Sequence, residues 1–412
     1  MRKLLWEALS FLTDLIEMNN IIEQALLNSG FENEFGIILW AIRRKENSDI
    51  PDKKYLENVN WEELISLSQN HGTLSIVYKK LSLLEAGLIP EEVLSKFKMI
   101  YLQIVRFNMI QANQLIKVLS LLDQNKIKAF PIKGPVISQQ AYGDIGYRTF
   151  QDLDLLINPE DFIRTYDLLT SEGYEPAIRF SEKWKKLWKK FRRDVEFRNG
   201  KTLIDLHQRF SQGNSSFDLT HEQIERTGTI EILENKIDVL SLEDTIIYLC
   251  INGTKDGWNK LRMVSELSFI IRSNPDLNWE LIIDDSKKRG ILQMVLSGLK
   301  FVSEILSDSL PDIIYSGIQK DERVKALSDK YISGSFLQYP DEKDPSIVRS
   351  IFKSLDSTFF KIKFLTYYLI TPGAADLKAM KLPDFLSPLY YIMRLVRLLR
   401  DALSSPERKQ KK

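Results

Sequence analysis

Apolar residues recur at three- and four-residue spacing through most of the first 125 positions, with few turn signals between them, which predicts helices. "NWEELISLSQNHGTLSIVYKKLSLLEAGL" reads as two helices broken near His71-Gly72, and "SKFKMIYLQIVRFNMIQANQLIKVLSLLDQNKI" as one longer helix. The opening stretch, "MRKLLWEALSFLTDLIEMNN", reads as an amphipathic helix because Glu7, Asp14 and Glu17 interrupt its apolar run. The character changes at "KAFPIKGPVISQQAYG": a short apolar strand, a Gly-Pro turn, then a helix. A strand follows in "RTFQDLDLLI", then a helix with Asn158-Pro159 as its start signal and Gly173 as its stop. After the basic, aromatic helix "EKWKKLWKKFRRD", the segment "DVEFRNGKTLIDLHQRF" reads as a hairpin turning at Asn199-Gly200. From about Leu219 onward the helical period returns, broken at Asn274-Pro275, "QYPDEKDPS", "TPGAAD" and "LPDFLSP".

This pattern gives an α/β unit over 125–218, between a helical region at 1–124 and a helical domain at 219–403, with a disordered basic tail at 404–412. Within the unit, "QDLDLLI" is out of character for a strand. Asp152 and Asp154 fall at i and i+2 and so on one strand face, where two carboxylates repel unless a cation sits between them. Such a pair suits a hard divalent cation, which takes oxygen ligands. Asp205, between Ile204 and Leu206 in the hairpin, offers a third carboxylate, with His207 on its face. The turn "PIKGPVIS" offers a phosphate cradle, with Gly134 allowing close backbone approach and Pro135 opening a helix whose N–H groups face out. Lys133 adds positive charge there, and Arg148 is placed either to contact phosphate or to pair with Asp144.

Composition narrows the choice. A formal net charge of +1 over 412 residues gives no general pull toward nucleic acid, and nucleic acid is not expected as a partner. Cys250 is the sole cysteine, so no disulfide forms within the chain, and a cytoplasmic location is expected. No segment reaches the apolar length of a membrane-spanning helix.

The ordered set Lys133-Gly134, Tyr142-Gly143-Asp144, Arg148, Asp152-Leu153-Asp154-Leu155-Leu156-Ile157 and Asp205-Leu206-His207 resembles the bacterial uncharacterised nucleotidyltransferase family. The flanking segments "NWEELISLSQNHGTLSIVYKKL" and "LNWELIIDDSKKRGILQMVLSGLKFVSEIL" fit as well, so the resemblance covers roughly residues 55 to 310. The resemblance implies an α+β fold with a small mixed sheet and flanking helices, using NTP with Mg²⁺ or Mn²⁺. It implies that Asp152, Asp154 and Asp205 hold the metals and carry catalysis, and that Lys133, Gly134 and Arg148 face the nucleotide. Transfer of a nucleoside monophosphate, foremost AMP, to a small-molecule or protein acceptor follows. His207, Lys255 and Arg262 are candidates for the acceptor side. Relatives often carry H-x-x-x-H-x-W-x-x-L-R in the helix that follows. Here the segment is "NGTKDGWNKLR", with Asn252 and Asp256 in the histidine places and Trp258, Leu261 and Arg262 kept. That departure motivates the alternative of a degenerate family member acting as a partner-binding module.

Other features have plainer readings. The stripe Trp184, Trp188 and Phe191 is expected to pack on the sheet rather than to clamp nucleic acid. His71 and His221 read as surface or cap residues. In 387–403, Arg394, Arg397 and Arg400 line one side and Ile392, Leu395, Val396, Leu399 and Leu403 the other. This helix is expected to close a helical domain, in preference to docking on an anionic membrane.

Overall fold

The computed structural model describes residues 24–43, 51–191, 194–211, 215–332, 337, 347–379 and 382–404. The opening helix expected from "MRKLLWEALSFLTDLIEMNN" and the tail beyond Ser404 lie outside them. The leading helices are α1 (Glu32–Ile42), α2 (Lys53–Glu57), α3 (Trp61–Asn70), α4 (Leu74–Leu81) and the long α5 (Glu91–Gln124). The break between α3 and α4 falls at His71-Gly72 as expected, and Asn60 caps α3 through the Glu63 amide.

The central unit runs β1 (Ala129–Pro131), α6 (Pro135–Tyr142), β2 (Leu153–Ile157), α7 (Phe162–Ser171), β3 (Glu175–Pro176), α8 (Glu182–Phe191), β4 (Val195–Asn199) and β5 (Thr202–His207). Its sheet has the order β1-β2-β5-β4-β3, with β2 and β5 parallel and the other pairs antiparallel. The α+β fold with a small mixed sheet is therefore as expected. The hairpin turn sits one residue later than the sequence suggests. Asn199 pairs with Thr202, so Gly200 and Lys201 make the turn. Of these two only Gly200 has positive φ, as at the first central position of a type II′ turn.

Alternation gives the sheet two unlike faces. Leu153, Leu155, Ile157, Ile204, Leu206 and Phe197 pack into one core with α5, α7 and α8. On the opposite face Phe130, Ile132 and Leu156 join the larger helical core. Asp154, Asp205 and His207 belong to this second face. The aromatic stripe of α8 is buried, with Trp188 against Phe180 and Trp184 edge-on to Tyr390.

The following region is not wholly helical. After α9 (His221–Glu225), β6 (Gly228–Ile232) and β7 (Asn235–Val239) form a separate hairpin. Its turn residues Leu233 and Glu234 both have positive φ, the type I′ geometry, but neither is the Gly or Asn that usually signals it. Helices then resume as α10 (Leu242–Lys255), α11 (Leu261–Ser273), α12 (Trp279–Arg289), α13 (Leu292–Leu306), α14 (Asp312–Gln319) and α15 (Glu322–Ile332). They continue as α16 (Ile347–Ser354), α17 (Thr358–Ile370), α18 (Ala374–Ala379) and α19 (Leu389–Ser404). Among the described residues, no helix is long and apolar enough to cross a membrane.

Two expectations are corrected here. His71 is a cap but not a surface residue: it is fully buried, it ends α3, and its Nδ1 accepts from the Leu261 amide. His221 is exposed, at the start of α9. The orientation of α19 is inverted. Arg394 and Arg397 turn inward to the buried carboxylate of Asp376, while Ile392, Leu395, Val396 and Leu399 are exposed.

Candidate active site

The parallel register of β2 and β5 sets Asp154 directly beside Asp205, and Leu156 beside His207. One ligand atom each from Asp154, Asp205 and His207 falls within 4.8 Å of the others. Asp152 lies just before β2 rather than on it, half-buried at the mouth, and acts on Lys133 through its charge. The strand that was expected to begin with Asp152 thus begins with Leu153.

Asp154 is the centre of the cluster. Its Oδ1 accepts from Lys133 Nζ at 2.6 Å and contacts His207 Nε2 at 3.0 Å. Its Oδ2 is buried and has no hydrogen-bonding partner. An orphaned carboxylate oxygen in an apolar setting costs free energy unless a ligand completes it. Burial opposes the charge on Asp154, but Lys133 and His207 outweigh it and hold the carboxyl well below the usual range. Asp205 differs: its side chain is 33% exposed against 1% for Asp154. Burial, then Asp194 and Asp154, push its pKa up, with His207 opposing.

His207 sits among three acids. Its Nε2 lies 3.3 Å from Asp205 Oδ2, and its Nδ1 lies 3.3 Å from Asp194 Oδ1. Burial disfavours the imidazolium, but Asp194, Asp205 and the bond to Asp154 outweigh it and raise His207 to about 10. Lys133 also loses from burial, yet Tyr248 and Asp154 hold it above the ordinary lysine range. The Tyr248 hydroxyl, which α10 brings in from the helical region, lies close enough to act on it electrostatically.

Gly134 has φ 62 and ψ −130 and is the N-cap of α6, with Pro135 following. That conformation is close to glycine-only. Space is not the reason for glycine here, since an added Cβ would meet only the Phe150 ring at 3.5 Å. Conformation alone fixes the residue.

Arg148 pairs with neither Asp144 nor a surface group. It is buried, its Nε donating to Glu266 Oε1 at 2.8 Å, while Asp144 Oδ1 instead accepts from the Gly146 amide. Arg262 joins the same knot, donating from Nη1 to the Thr149 carbonyl at 2.7 Å. Lys255 is half-buried in the last turn of α10. Asn252 and Asp256 lie near it, Asp256 as the C-cap. Trp258 is fully buried in a notch formed by Gly253 and Gly298.

The arrangement gathers the site candidates Asp154, Asp205, His207 and Lys133 on one face of the parallel strand pair, with Gly134 next to Lys133 and Asp152 just ahead of β2. Sequence reasoning missed Asp194, Tyr248 and Glu266. Asp194 had a signal, because a turn at Gly200-Lys201 places residue 194 opposite His207. Tyr248 and Glu266 had none, since they come from helices far along the chain.

The two carboxylates on adjacent strands, one with a buried unpaired oxygen, fit a divalent cation, and the charged His207 beside them braces both instead of ligating. No curated protein matches this chain. The sequence model of the uncharacterised nucleotidyltransferase family matches residues 57–307, more than half of the chain, from the helices ahead of the sheet to the end of α13. The chain belongs to the uncharacterised nucleotidyltransferase family and is a nucleotidyltransferase.

Proposed function

We propose that the protein transfers a nucleoside monophosphate from an NTP to an acceptor hydroxyl or similar group, releasing pyrophosphate, with Mg²⁺ or Mn²⁺ held at Asp154 and Asp205. AMP is the group to assay first. The observation that carries this reading is the convergence of Asp154, Asp205 and Lys133 around a buried carboxylate oxygen that no protein group satisfies. When bound, a divalent cation neutralises phosphate charge and polarises the reacting oxygens.

The chain's own groups have separable roles. Lys133, beside the N-terminus of α6, neutralises phosphate oxygens, and Gly134 lets that backbone approach them. Asp152 extends the acidic mouth. Asp205 is the solvent-reachable carboxylate, and its raised pKa suits a base that takes the acceptor's proton. His207, held charged by Asp194, fixes the orientation of both carboxylates. Arg148 works at one remove, locking the loop before β2 through Glu266. Lys255 and Arg262 border the acceptor side.

Asp154→Asn, Asp205→Asn and Asp152→Asn are to be compared with wild type for NTP-induced thermal shift with Mg²⁺ or Mn²⁺, and for pyrophosphate release. Asp154→Asn and Asp205→Asn are expected to lose the metal-dependent shift and at least about a hundredfold in turnover. Wild-type binding and release in both would sink the assignment.

A further inference from the structure

Among the described residues, exposed large apolar side chains concentrate on the outer faces of α17 and α19. Of eighteen exposed large apolar residues among the described ones, ten lie between positions 359 and 399. Phe359 and Ile362 on α17, Phe385 before α19, and Ile392, Val396 and Leu399 on α19 are each at least 60% exposed. Their spacing of three and four residues makes a stripe on each helix, and the two helices pack against one another.

The inversion of α19 is built, not incidental. Asp376 is 1% exposed and accepts from Arg397 Nε at 2.6 Å. Arg394 donates from Nη2 to the Tyr368 carbonyl of α17 at 2.8 Å, and Tyr390 and Phe364 are buried beneath. These bonds hold the arginines inward and so hold the apolar stripe outward. Exposed apolar stripes on two helices packed together mark a binding surface.

Charge identifies the occupant. Residues 358–412 carry eleven Lys and Arg against four Asp and Glu, a net +7 in a chain whose total is +1. Lys361 and Lys363 lie on α17 itself, and "ERKQKK" follows α19 in the sequence. Two copies meeting through this face would bring like charge together. We propose that α17 and α19 dock the protein on the surface of an anionic lipid bilayer. Phe359, Ile362, Ile392, Val396 and Leu399 enter the acyl boundary, while Lys361, Lys363 and Arg400, the cations of these helices that Asp376 does not hold inward, meet lipid phosphates. The surface lies outside the matched family segment, so this docking stands independently of the nucleotide chemistry.

The test is co-sedimentation of the full-length chain with vesicles of phosphatidylcholine alone, or of phosphatidylcholine with phosphatidylglycerol. Binding to the phosphatidylglycerol vesicles is expected to be at least about tenfold tighter and to fall with added salt. Ile392→Glu with Val396→Glu, both at exposed positions, should lower it at least about tenfold while far-ultraviolet circular dichroism stays unchanged. No sedimentation of the wild-type chain with anionic vesicles overturns the proposal, as does equal binding by the double variant. Light scattering runs in parallel. A dimer that the double variant converts to monomer, without vesicle binding, assigns the face to a second copy and overturns it. Binding that emerges only after residues 1–23 are deleted assigns the face to that segment and likewise overturns the proposal.

Discussion

Replacing Asp154 by Asn tests the electrostatic account of the site without involving any substrate. Active-site acids often destabilise their proteins, so their removal commonly raises stability. Here the opposite is expected, because Asp154 is compensated. Its Oδ1 receives Lys133 at 2.6 Å and His207 at 3.0 Å, and its side chain is 1% exposed. Asn keeps the shape and one acceptor but leaves two cations facing a neutral group. Breaking a buried ion pair by removing one partner costs about 3–5 kcal/mol. His207 retains Asp194 and Asp205, and Lys133 is 19% exposed, so the low end applies, about 3 kcal/mol. Lys133→Met should cost less, about 2 kcal/mol, since Asp154 then keeps His207. Because both variants break the same contact, the double variant should fall short of their sum by about 1–2 kcal/mol. Urea unfolding of the four proteins at neutral pH, without metal or nucleotide, measures the cycle. An Asp154→Asn protein as stable as wild type, or strict additivity, would refute the claim that Lys133 and Asp154 form a stabilising pair.

Three further outcomes follow from the geometry. His207 keeps its proton to about 10 against about 6.5 when unfolded, so it stabilises the fold fully below about pH 6.5 and loses that contribution as pH rises through about 10. His207→Gln should therefore flatten the alkaline fall of the urea midpoint, and an unchanged slope would contradict the assignment. In Gly253→Ala the new Cβ would lie 2.5 Å from the Trp258 ring, which must shift within a closed core. Destabilisation of about 1–3 kcal/mol is expected, read as a lowered thermal midpoint. Gly134→Ala forces alanine into a φ of 62 and should lose about 1–3 kcal/mol, with weaker NTP-induced stabilisation. An unaltered NTP shift would remove Gly134 from the cradle.

The parts of the site carried by local pattern were legible. The Asp-x-Asp run, the Lys-Gly-Pro turn and the Asp-Leu-His strand each announce themselves within a few residues, and the resemblance ordered them. What depends on register was less so. Placing the turn at Asn199-Gly200 instead of Gly200-Lys201 sets Asp205, not His207, opposite Asp194, and so hides an acid that holds the imidazole. What depends on distant packing was not legible at all. Glu266, the partner of Arg148, is 118 residues away, and nothing local favoured it over Asp144. The β6–β7 hairpin was lost because Leu233 and Glu234 adopt left-handed backbone without the residues that normally mark it. The face of α19 was misjudged because amphipathicity tells which residues segregate but not which side faces in. Asp376, on another helix, decides that by binding Arg394 and Arg397.

The electrostatic pairing of Lys133 with Tyr248 bears on how this enzyme can be divided. The lysine belongs to the sheet unit and the tyrosine to α10, so the cation paired with Asp154 has a partner on the far side of an assumed boundary near residue 218. Arg148 reaches across the same line to Glu266, and Phe130, Ile132 and Leu156 are buried against the helices beyond it. A fragment ending there would carry Asp154 and Asp205 yet lose the groups that position their neighbours. The catalytic unit is thus not a portable cassette, and grafting or truncation would have to carry the helices through α11 along with it.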